Sequence, residues 1–214
     1  MDAFRVHSRS AYASVGSAID LSSFSILLKE RFRLDNRLGV RGQGSKAFSN
    51  SVCFGIVFDG ARMHVKVFST GTLHTSGAHK DLERAFQFIT QLIFTCHVKN
   101  DDPSVSVIRS PASFGLRDVR IAMIYSVYQN PARIDCGRAY IILRARGLNA
   151  MYDVNLHRAL NVRLDGREGT FLIFGSGKVI MTGGTSVDVY ERRWGEVIAL
   201  MKDATIPPPL HMTM

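Results

Sequence analysis

Two segments of this chain resemble each other closely enough to indicate an internal repeat. Residues 67–78 read VFSTGTLHTSGA, and residues 173–184 read IFGSGKVIMTGG. Each segment has an apolar residue before Phe, then two small residues and Gly, a short strand-like run, and a hydroxyl residue before Gly. An internal repeat implies two copies of one supersecondary unit, so it constrains the fold more than composition does.

Each repeated segment is followed by residues with the spacing of an amphipathic helix. The apolar positions are Leu82, Phe86, Ile89 and Ile93 in the first half, and Tyr190, Trp194, Val197, Ile198 and Met201 in the second. Ser186 is a predicted N-cap of the second helix, with Asp188 in its first turn. Both halves are therefore predicted to end in a long helix.

The strands before these helices are joined by predicted hairpins. Asp59-Gly60 and Asp165-Gly166 stand between runs of alternating apolar residues, and Asp-Gly is a strong hairpin signal. Each half also opens with a predicted strand, at residues 12–17 and 119–127. The first of these leads to a helix with Asp20 as its candidate cap and Phe24, Leu27 and Leu28 facing inward, and the second to a turn or short helix near Ile134.

This order of elements predicts an α+β fold of two pseudo-symmetric repeats. The first repeat covers residues 1–98, the second covers residues 113–214, and the polar segment 99–112 is the predicted linker. The two repeats together are expected to form one pseudo-twofold domain. A sheet with helices on one face leaves its other face for a partner.

Alternation along the strands predicts which side chains lie on that open face, because every second residue of a strand points the same way. In the second repeat Leu172, Phe174, Ser176, Lys178, Ile180 and Thr182 share one phase, and Phe171, Ile173, Val179 and Met181 share the other. In the first repeat Lys66, Phe68, Thr70, Thr72, His74 and Ser76 share the exposed phase, and Val65, Val67 and Leu73 the buried one. The exposed phase mixes apolar, hydroxyl and basic groups, which suits contact with sugar, base edges and phosphate.

Composition favours an acidic partner. The formal net charge is +9, from 27 Lys and Arg against 18 Asp and Glu, and a basic excess favours nucleic acid first. Cys53, Cys96 and Cys136 are far apart, which predicts free thiols in a reducing compartment. We predict no enzyme, metal or cofactor, because the sequence has neither a nucleophile motif nor acidic pairs at metal spacing. No apolar run is long enough for a membrane span, and no signal peptide precedes the first strand, so an intracellular protein is expected.

The repeated motif resembles the TATA-box-binding protein family. The match is best in FLIFGSGKVIMTGG at 171–184, continues upstream through YDVNLHRALNVR at 152–163, and is weaker in KVFSTGTLHTSGA at 66–78. The resemblance implies a saddle: a curved antiparallel sheet with helices on its convex face and DNA on its concave face. It also implies a general transcription initiation factor that binds and bends the DNA minor groove.

The resemblance assigns two wedge positions to each repeat, where the family has phenylalanines that unstack base steps. They correspond here to Phe48 and Phe68 in the first repeat, and to His157 and Phe174 in the second. The alternative interpretation is that a strand phenylalanine belongs to the core, and His157 could equally be a solvated loop histidine. The strand phase favours the exposed interpretation for Phe68 and Phe174.

Further DNA-facing positions are carried over from the family motif and from the strand phase. The predicted contacts are Lys46, Lys66, Arg163, Leu172, Lys178, Ile180, Ser76, Thr182, Tyr12 and Tyr125. The family has an asparagine in the opening strand of each repeat, where this chain has Ser10 and Met123, so strict recognition of a TATA sequence is not expected. These departures also favour a distant lineage, such as a large DNA virus or a deep-branching eukaryote.

The family resemblance implies protein partners as well as A·T-rich double-stranded DNA. Asp153, Asn155 and Leu156 correspond to a tip that contacts a transcription factor IIB-like partner, and RNA polymerase initiation factors are further expected partners. The expected location is the nucleus, or the viral factory or virion of a virus. Two alternatives remain open: a protein-interaction module, self-associating as a homodimer when no DNA is bound, and a non-specific basic binder of nucleic acid.

Overall fold

A computed structural model describes residues 4–31, 50–98, 106–166 and 168–206. Within the described residues the chain divides into two compact units. One unit runs from Ser8 to Ala122, and the other comprises the residues from Met123 onward together with those up to His7. None of the helices among the described residues combines the length and apolar composition that a membrane crossing requires.

The first unit contains an antiparallel sheet with two helices. Its elements are β1 (Arg5–Ser14), α1 (Leu21–Arg31), β2 (Ser51–Phe58), β3 (Ala61–Phe68), β4 (Thr72–Gly77) and α2 (Leu82–Val98). The strands lie in the order β2-β3-β4-β1, and each neighbouring pair is antiparallel. This is the strand, helix, antiparallel strands and long helix that the sequence predicts.

The helices of the first unit cover one face of its sheet. Val65, Val67 and Leu73 are buried there, and so are Phe24 of α1 and Phe86 of α2. Asp20 caps α1 as predicted, because its carboxylate accepts a hydrogen bond of 2.9 Å from the backbone N–H of Ser23. The helical spacing and the strand alternation therefore identified this core.

Part of the predicted linker belongs to this core. Val107 and Ile108 are fully buried, and Ile108 forms an isolated antiparallel bridge with Ile19. The backbone N–H of Asp20 also donates to the carbonyl of Val107 over 2.9 Å. The polar composition of residues 99–112 predicted a linker, so the burial of Val107 and Ile108 was not expected from the sequence.

The second unit has an antiparallel sheet that includes most of a long strand begun in the first unit. Its elements are β5 (Arg117–Gln129), β6 (Arg133–Ile134), α3 (Cys136–Ala145), β7 (Asn149–Asp153), β8 (His157–Arg163), β9 (Thr170–Phe174), β10 (Lys178–Thr182), α4 (Val187–Leu200) and β11 (Thr205–Ile206). The order of the main strands is β5-β10-β9-β8-β7, and β11 pairs separately with β6. The short helix expected near Ile134 is α3, and it begins two residues later because Asp135 caps it.

Aromatic side chains fill the core of the second unit. Phe171 is fully buried, Trp194 of α4 lies 5.5 Å from it between ring centroids, and Tyr128 of β5 lies 5.8 Å from Trp194. Phe4 completes the cluster, with its ring centroid 5.1 Å from that of Tyr128. The N-terminal residues thus contribute to the core of the second repeat, which no periodicity near Phe4 predicts.

The two hairpins predicted from Asp-Gly differ in the structure. Asp59 and Gly60 form a tight turn between β2 and β3, with φ of 45° and 76°, as an Asn-Gly or Asp-Gly hairpin requires. Asp165 and Gly166 instead lie in a longer loop, which the hydrogen bond from Leu164 N–H to Gly169 C=O closes over 2.9 Å. The two strands still pair antiparallel, so the hairpin prediction is confirmed and the turn length is not.

One glycine in each repeated segment explains why the repeat is preserved. Gly71 and Gly177 have φ of 82° and 86°, and each donates its N–H to the carbonyl of the phenylalanine three residues earlier over 2.9 Å. A Cβ on Gly71 would lie 2.0 Å from the carbonyl oxygen of Ser17, and one on Gly177 would lie 2.6 Å from that of Asn130. Only glycine allows this turn, which places Phe68 and Phe174 at the same point of the two repeats.

Candidate functional site

A row of side chains crosses the sheet of the second unit on the face opposite its helices. The strand register places Val127, Ile180, Leu172, Asn161 and Met151 side by side, one from each of five neighbouring strands. The first four are half-buried, and Met151 is 69% exposed. Their strand neighbours Phe171, Ile173, Val179 and Met181 are fully buried, as the predicted alternation requires. This open face is therefore largely apolar.

The two wedge positions predicted in the second repeat lie together. Phe174 ends β9 and is half-buried, while His157 begins β8 and is exposed. Their ring centroids are 6.2 Å apart, with planes inclined by 57°. The ring of His157 is oriented by a hydrogen bond of 3.2 Å that its Nδ1 accepts from Ala159 N–H.

Basic and hydroxyl groups surround the apolar row. Lys178 is exposed at the start of β10, where it faces Gln129, and Arg163 is exposed at the end of β8. Thr182 ends β10, and its hydroxyl donates to the Sδ atom of Met123 over 3.2 Å. The predicted basic and hydroxyl contacts of this repeat thus lie around the same face.

Tyr125 lies on this face two residues before Val127. It is half-buried, and the ring of His7 meets it edge-on with a centroid distance of 5.9 Å. Tyr125 is thus placed where the sequence predicts a groove contact, although its contact with DNA stays a prediction.

The corresponding row of the first unit is polar. The register places Tyr12, His74, Lys66 and Cys53 side by side on β1, β4, β3 and β2. All four are half-buried. Ser76 lies two residues beyond His74 on the same strand and faces Ser10. The predicted contacts Tyr12, Lys66 and Ser76 therefore share one face.

His74 is the centre of this polar row. Its Nε2 atom and the hydroxyl of Ser10 are joined by a hydrogen bond of 2.7 Å, and its ring lies 4.6 Å from that of Tyr12. Desolvation, and secondly the charge of Lys66, lower the pKa of His74 below its ordinary value of 6.5. The imidazole is accordingly neutral at pH 7 and carries both a hydrogen-bond donor and an acceptor.

Phe68 ends β3 at the repeat turn and is half-buried, as Phe174 is in the second unit. It faces Ser51 of β2. The other two predicted contacts of the first repeat, Phe48 and Lys46, lie outside the described residues. The pairing of Phe48 with Phe68 stays a prediction.

The hairpin between β7 and β8 carries the residues predicted to bind a protein partner. Asp153 organises the turn, because its carboxylate accepts from Asn155 N–H over 2.9 Å and its carbonyl accepts from Leu156 N–H over 3.1 Å. Leu156 is 85% exposed and Val154 is 60% exposed. The tip therefore presents two uncovered aliphatic side chains beside one carboxylate.

Comparisons with known proteins agree with this arrangement. Residues 139–204 match the family model described as transcription factor TFIID, or TATA-binding protein. A TATA-box-binding protein-like protein of Acanthamoeba polyphaga mimivirus is 25% identical, over 59% of this chain and 39% of the relative. This chain thus matches well under half of the length of that relative. The structure of Methanococcus jannaschii TBP superposes with a TM-score of 0.65 at 17% identity, covering 94% of this chain and 99% of the archaeal one.

Residues 139–204 of this chain thus resemble the TATA-binding protein family, and the chain has the fold of an archaeal TBP. The α+β fold expected from the repeats is the fold of the archaeal TBP. The region matched by the family model begins at α3 and ends after α4, so it covers most of the second unit. The family match therefore lies in the repeat that carries the apolar row.

The register also refines the comparison between the two repeats of this chain. His74 and Ile180 are equivalent in the repeated segments, and they face Tyr12 and Val127 respectively. Val127 is therefore the counterpart of Tyr12. Tyr125 lies two residues earlier in β5, on the same face. Sequence reasoning also passed over Asn161 and Met151, which the alternation within β7 and β8 could have identified.

Within residues 4–31, 50–98, 106–166 and 168–206, no group of three or more His, Cys, Asp or Glu side chains could hold a metal ion. The described thiol of Cys136 is buried, and desolvation raises its pKa, so it is a poor nucleophile.

Proposed function

We propose that this chain is a transcription initiation factor that binds the minor groove of double-stranded DNA with the open faces of its two units and bends it. The observation that carries the proposal is the apolar row of the second unit, with Phe174 and His157 paired at 6.2 Å beside it. A half-buried ring beside an apolar row suits insertion at a base step, since apolar wedges unstack and kink a duplex from the minor groove. No catalytic role is proposed.

The charge of the chain supports a polyanionic ligand. The excess of nine positive charges attracts phosphate at long range, and Lys178 and Arg163 are exposed beside the apolar row. Apolar and hydroxyl groups would then meet sugars and base edges, while these cations meet the backbone. In the first unit, Lys66 would contact the phosphate backbone and Tyr12 would contact sugars and base edges.

The hairpin tip supports a protein partner on the proposed DNA complex. Leu156 and Val154 are exposed beside Asp153, which fits a partner that offers an apolar patch with a basic group. We infer a transcription factor IIB-like protein as this partner, with RNA polymerase initiation factors assembled later. The corresponding location is the nucleus or a viral factory.

Fluorescence anisotropy tests the proposal directly. Labelled A·T-rich duplex, G·C-rich duplex and single strand are titrated over a salt series with the wild type, Phe174→Ala and Phe88→Ala. Phe88 is the matched control, because it is a 41% exposed phenylalanine on the helix side of the first unit. We expect the A·T-rich duplex to bind best and Phe174→Ala to weaken it by about tenfold, since stacking on an aromatic ring contributes on the order of 1–3 kcal/mol per base. Energy transfer between dyes at the duplex ends should report bending that Phe174→Ala reduces.

Other outcomes would assign the chain to a different class. Equal affinity for all three ligands, lost with salt and indifferent to Phe174→Ala, would identify a non-specific basic binder and contradict the proposal. A concentration-dependent dimer whose mass is unchanged by duplex would identify a protein-interaction module instead.

A further inference from the structure

The two open faces place opposite chemistry at equivalent backbone positions. His74 and Ile180 occupy the same place in the two repeated segments, and Lys66 and Leu172 stand directly before those segments. Lys66 faces His74 as Leu172 faces Ile180, so the two pairs correspond. Tyr12 likewise corresponds to Val127. The first row is therefore polar and basic where the second is aliphatic.

A polar row and an aliphatic row respond differently to one group in the minor groove, the N2 amino group of guanine. A·T and T·A pairs present only acceptors there, while a G·C pair adds the guanine N2 amino group, which is a donor. An aliphatic surface pressed on this amino group removes it from water without a partner, which costs free energy. A surface with a hydrogen-bond acceptor satisfies it.

The pair formed by Ser10 and His74 offers an acceptor in either tautomer. If the Ser10 hydroxyl donates to Nε2, its own oxygen keeps a free lone pair; if Nε2–H donates to Ser10, then Nδ1 is the acceptor of the neutral ring. Both side chains are half-buried on the open face, whereas Ala11 and Leu73, their neighbours in sequence, are fully buried. The acceptor therefore belongs to the surface that would meet the groove.

At the place of His74 itself the second row has Ile180, which carries no polar side-chain atom, whereas the hydroxyls of Tyr125 and Thr182 are the counterparts of those of Ser10 and Ser76. Ile180 and Leu172 face each other directly, and Val127 lies on the far side of Ile180. Asn161 is the amide of this row, and it lies beyond Leu172. A guanine amino group centred on Ile180 and Leu172 would find no hydrogen-bond acceptor on either side chain.

Resting on the proposed function, we infer that the chain reads DNA asymmetrically: the first unit accepts a G·C pair through the Ser10–His74 pair, and the second unit rejects G·C over Ile180 and Leu172. The target is then a half A·T-rich, half G·C-tolerant site rather than a uniform A·T tract. The consequence is a preferred orientation on DNA, which two chemically identical faces would not provide.

Replacement of guanine by inosine tests this inference, because inosine pairs with cytosine but lacks the N2 amino group. A single G·C or I·C pair is moved stepwise through an A·T-rich duplex, and binding of the wild type is measured at pH 7 at every position. At positions under the first unit we expect I·C to bind about tenfold more weakly than G·C, and at positions under the second unit about tenfold more tightly. The same gain from I·C at every position would overturn the inference while leaving the proposed function intact.

Three variants assign each response to its unit. His74→Leu should abolish the preference for G·C over I·C, His74→Gln should keep it because the amide oxygen is an acceptor, and Ile180→His should create it in the second unit. Circular dichroism and thermal melting check that each variant is folded. A preference unchanged in His74→Leu would overturn the assignment to His74. Absence of binding to any duplex would overturn the proposed function and, with it, this inference.

Discussion

Individual side chains of this protein illustrate how one backbone position can serve different chemistry. His74 and Ile180 stand at the same place in two repeats, yet one is hydrogen-bonded to Ser10 and in tilted ring contact with Tyr12, while the other faces Leu172. The strand phase determines only that both residues face outward. What each residue contributes there depends on its own functional group and its cross-strand neighbours.

The protonation of His74 predicts a pH-dependent stability. Desolvation and the charge of Lys66 lower its pKa in the folded state, so the unfolded chain binds the proton first. The neutral His74 therefore contributes its full stabilisation above the unfolded-state pKa of about 6.5. The free energy of unfolding should decrease as the pH falls below that value. The other titratable groups that the described strands place on this face are Tyr12 on β1, Cys53 on β2, and Arg62, His64 and Lys66 on β3.

Urea unfolding followed by circular dichroism over a pH series measures this dependence. His74→Gln should lose part of the acid slope, whereas His157→Gln, which changes an exposed histidine, should retain it. Identical slopes in the wild type and His74→Gln would show that another group is responsible.

We expect removal of the Tyr190 hydroxyl group alone to lower the stability of the protein substantially. Its ring is fully buried, and its hydroxyl accepts from Gly184 N–H over 2.6 Å and donates to the Ile124 carbonyl over 3.1 Å. Tyr190→Phe leaves both backbone groups unsatisfied, so the free energy of unfolding should fall by about 1–3 kcal/mol. Tyr140→Phe, at a half-buried tyrosine of α3, is the control and should change it by less than about 0.5 kcal/mol. Chemical denaturation measures both, and equal small effects would contradict the prediction.

At the scale of single elements, the helices begin where the sequence places their caps. Ser186 accepts from Val189 N–H at the start of α4, and Asp20 accepts from Ser23 N–H at the start of α1. The hydrogen bond from Ser23 N–H is the main cause that lowers the pKa of Asp20, and Arg109 adds to it through an ion pair.

Substitution of Asp20 separates its cap from its charge. Asp20→Ala should lower the free energy of unfolding by about 1 kcal/mol, because the first turn of α1 loses its side-chain acceptor. Asp20→Asn keeps an acceptor and loses only the ion pair with Arg109. Because the Arg109 side chain is largely exposed, this substitution should lower the free energy of unfolding by less than Asp20→Ala does. Denaturant unfolding of the two variants distinguishes them, and an equal loss in both would mean that the ion pair dominates.

For the molecule as a whole, the distribution of charge predicts how it meets DNA. The net charge of +9 attracts phosphate wherever the cations lie, and only cations beside the open faces contact the backbone in the proposed complex. Lys178 lies beside the apolar row, whereas Lys80 is exposed in the segment between β4 and α2.

The salt dependence of duplex binding should therefore respond to one lysine and not to the other. Lys178→Ala should reduce the slope of log affinity against log salt by about one, because one phosphate contact and its released counterion are lost. Lys80→Ala removes the same charge from the chain and should leave the slope unchanged. Anisotropy titrations over a salt series measure both slopes, and an equal change in both would indicate attraction by net charge alone.

Periodicity predicted the elements well, because it records which side of a strand or helix is buried. The alternation in 171–182 separated Phe171, Ile173, Val179 and Met181 from the exposed positions, and all four are fully buried. It failed where burial depends on residues distant in sequence. Phe4 packs against Tyr128 and Phe171, and Val107 and Ile108 are buried within a segment whose composition resembled a linker.

The candidate site divides in the same way. Strand alternation alone predicts that Phe68, Phe174, Lys66 and Leu172 lie on the open faces, since it needs only the period of a strand. The proximity of His157 to Phe174, and the register that sets Val127 opposite Ile180, needed the paired strands. The sequence of one strand does not specify which strand it pairs with, nor in which register.

The sequence by itself determined the repeat, two helix caps, the Asp59-Gly60 turn and the residues on each strand face, because all of these follow from local backbone geometry and from the period of side-chain burial. The tertiary structure alone decided which residues meet across strands. It joined Ser10 to His74 and set Ile180 against Leu172, and these pairs are formed by segments far apart in sequence or by hairpin register. The chemistry of the open faces depends on those pairings, since a hydrogen bond or an apolar contact belongs to two residues and not to one.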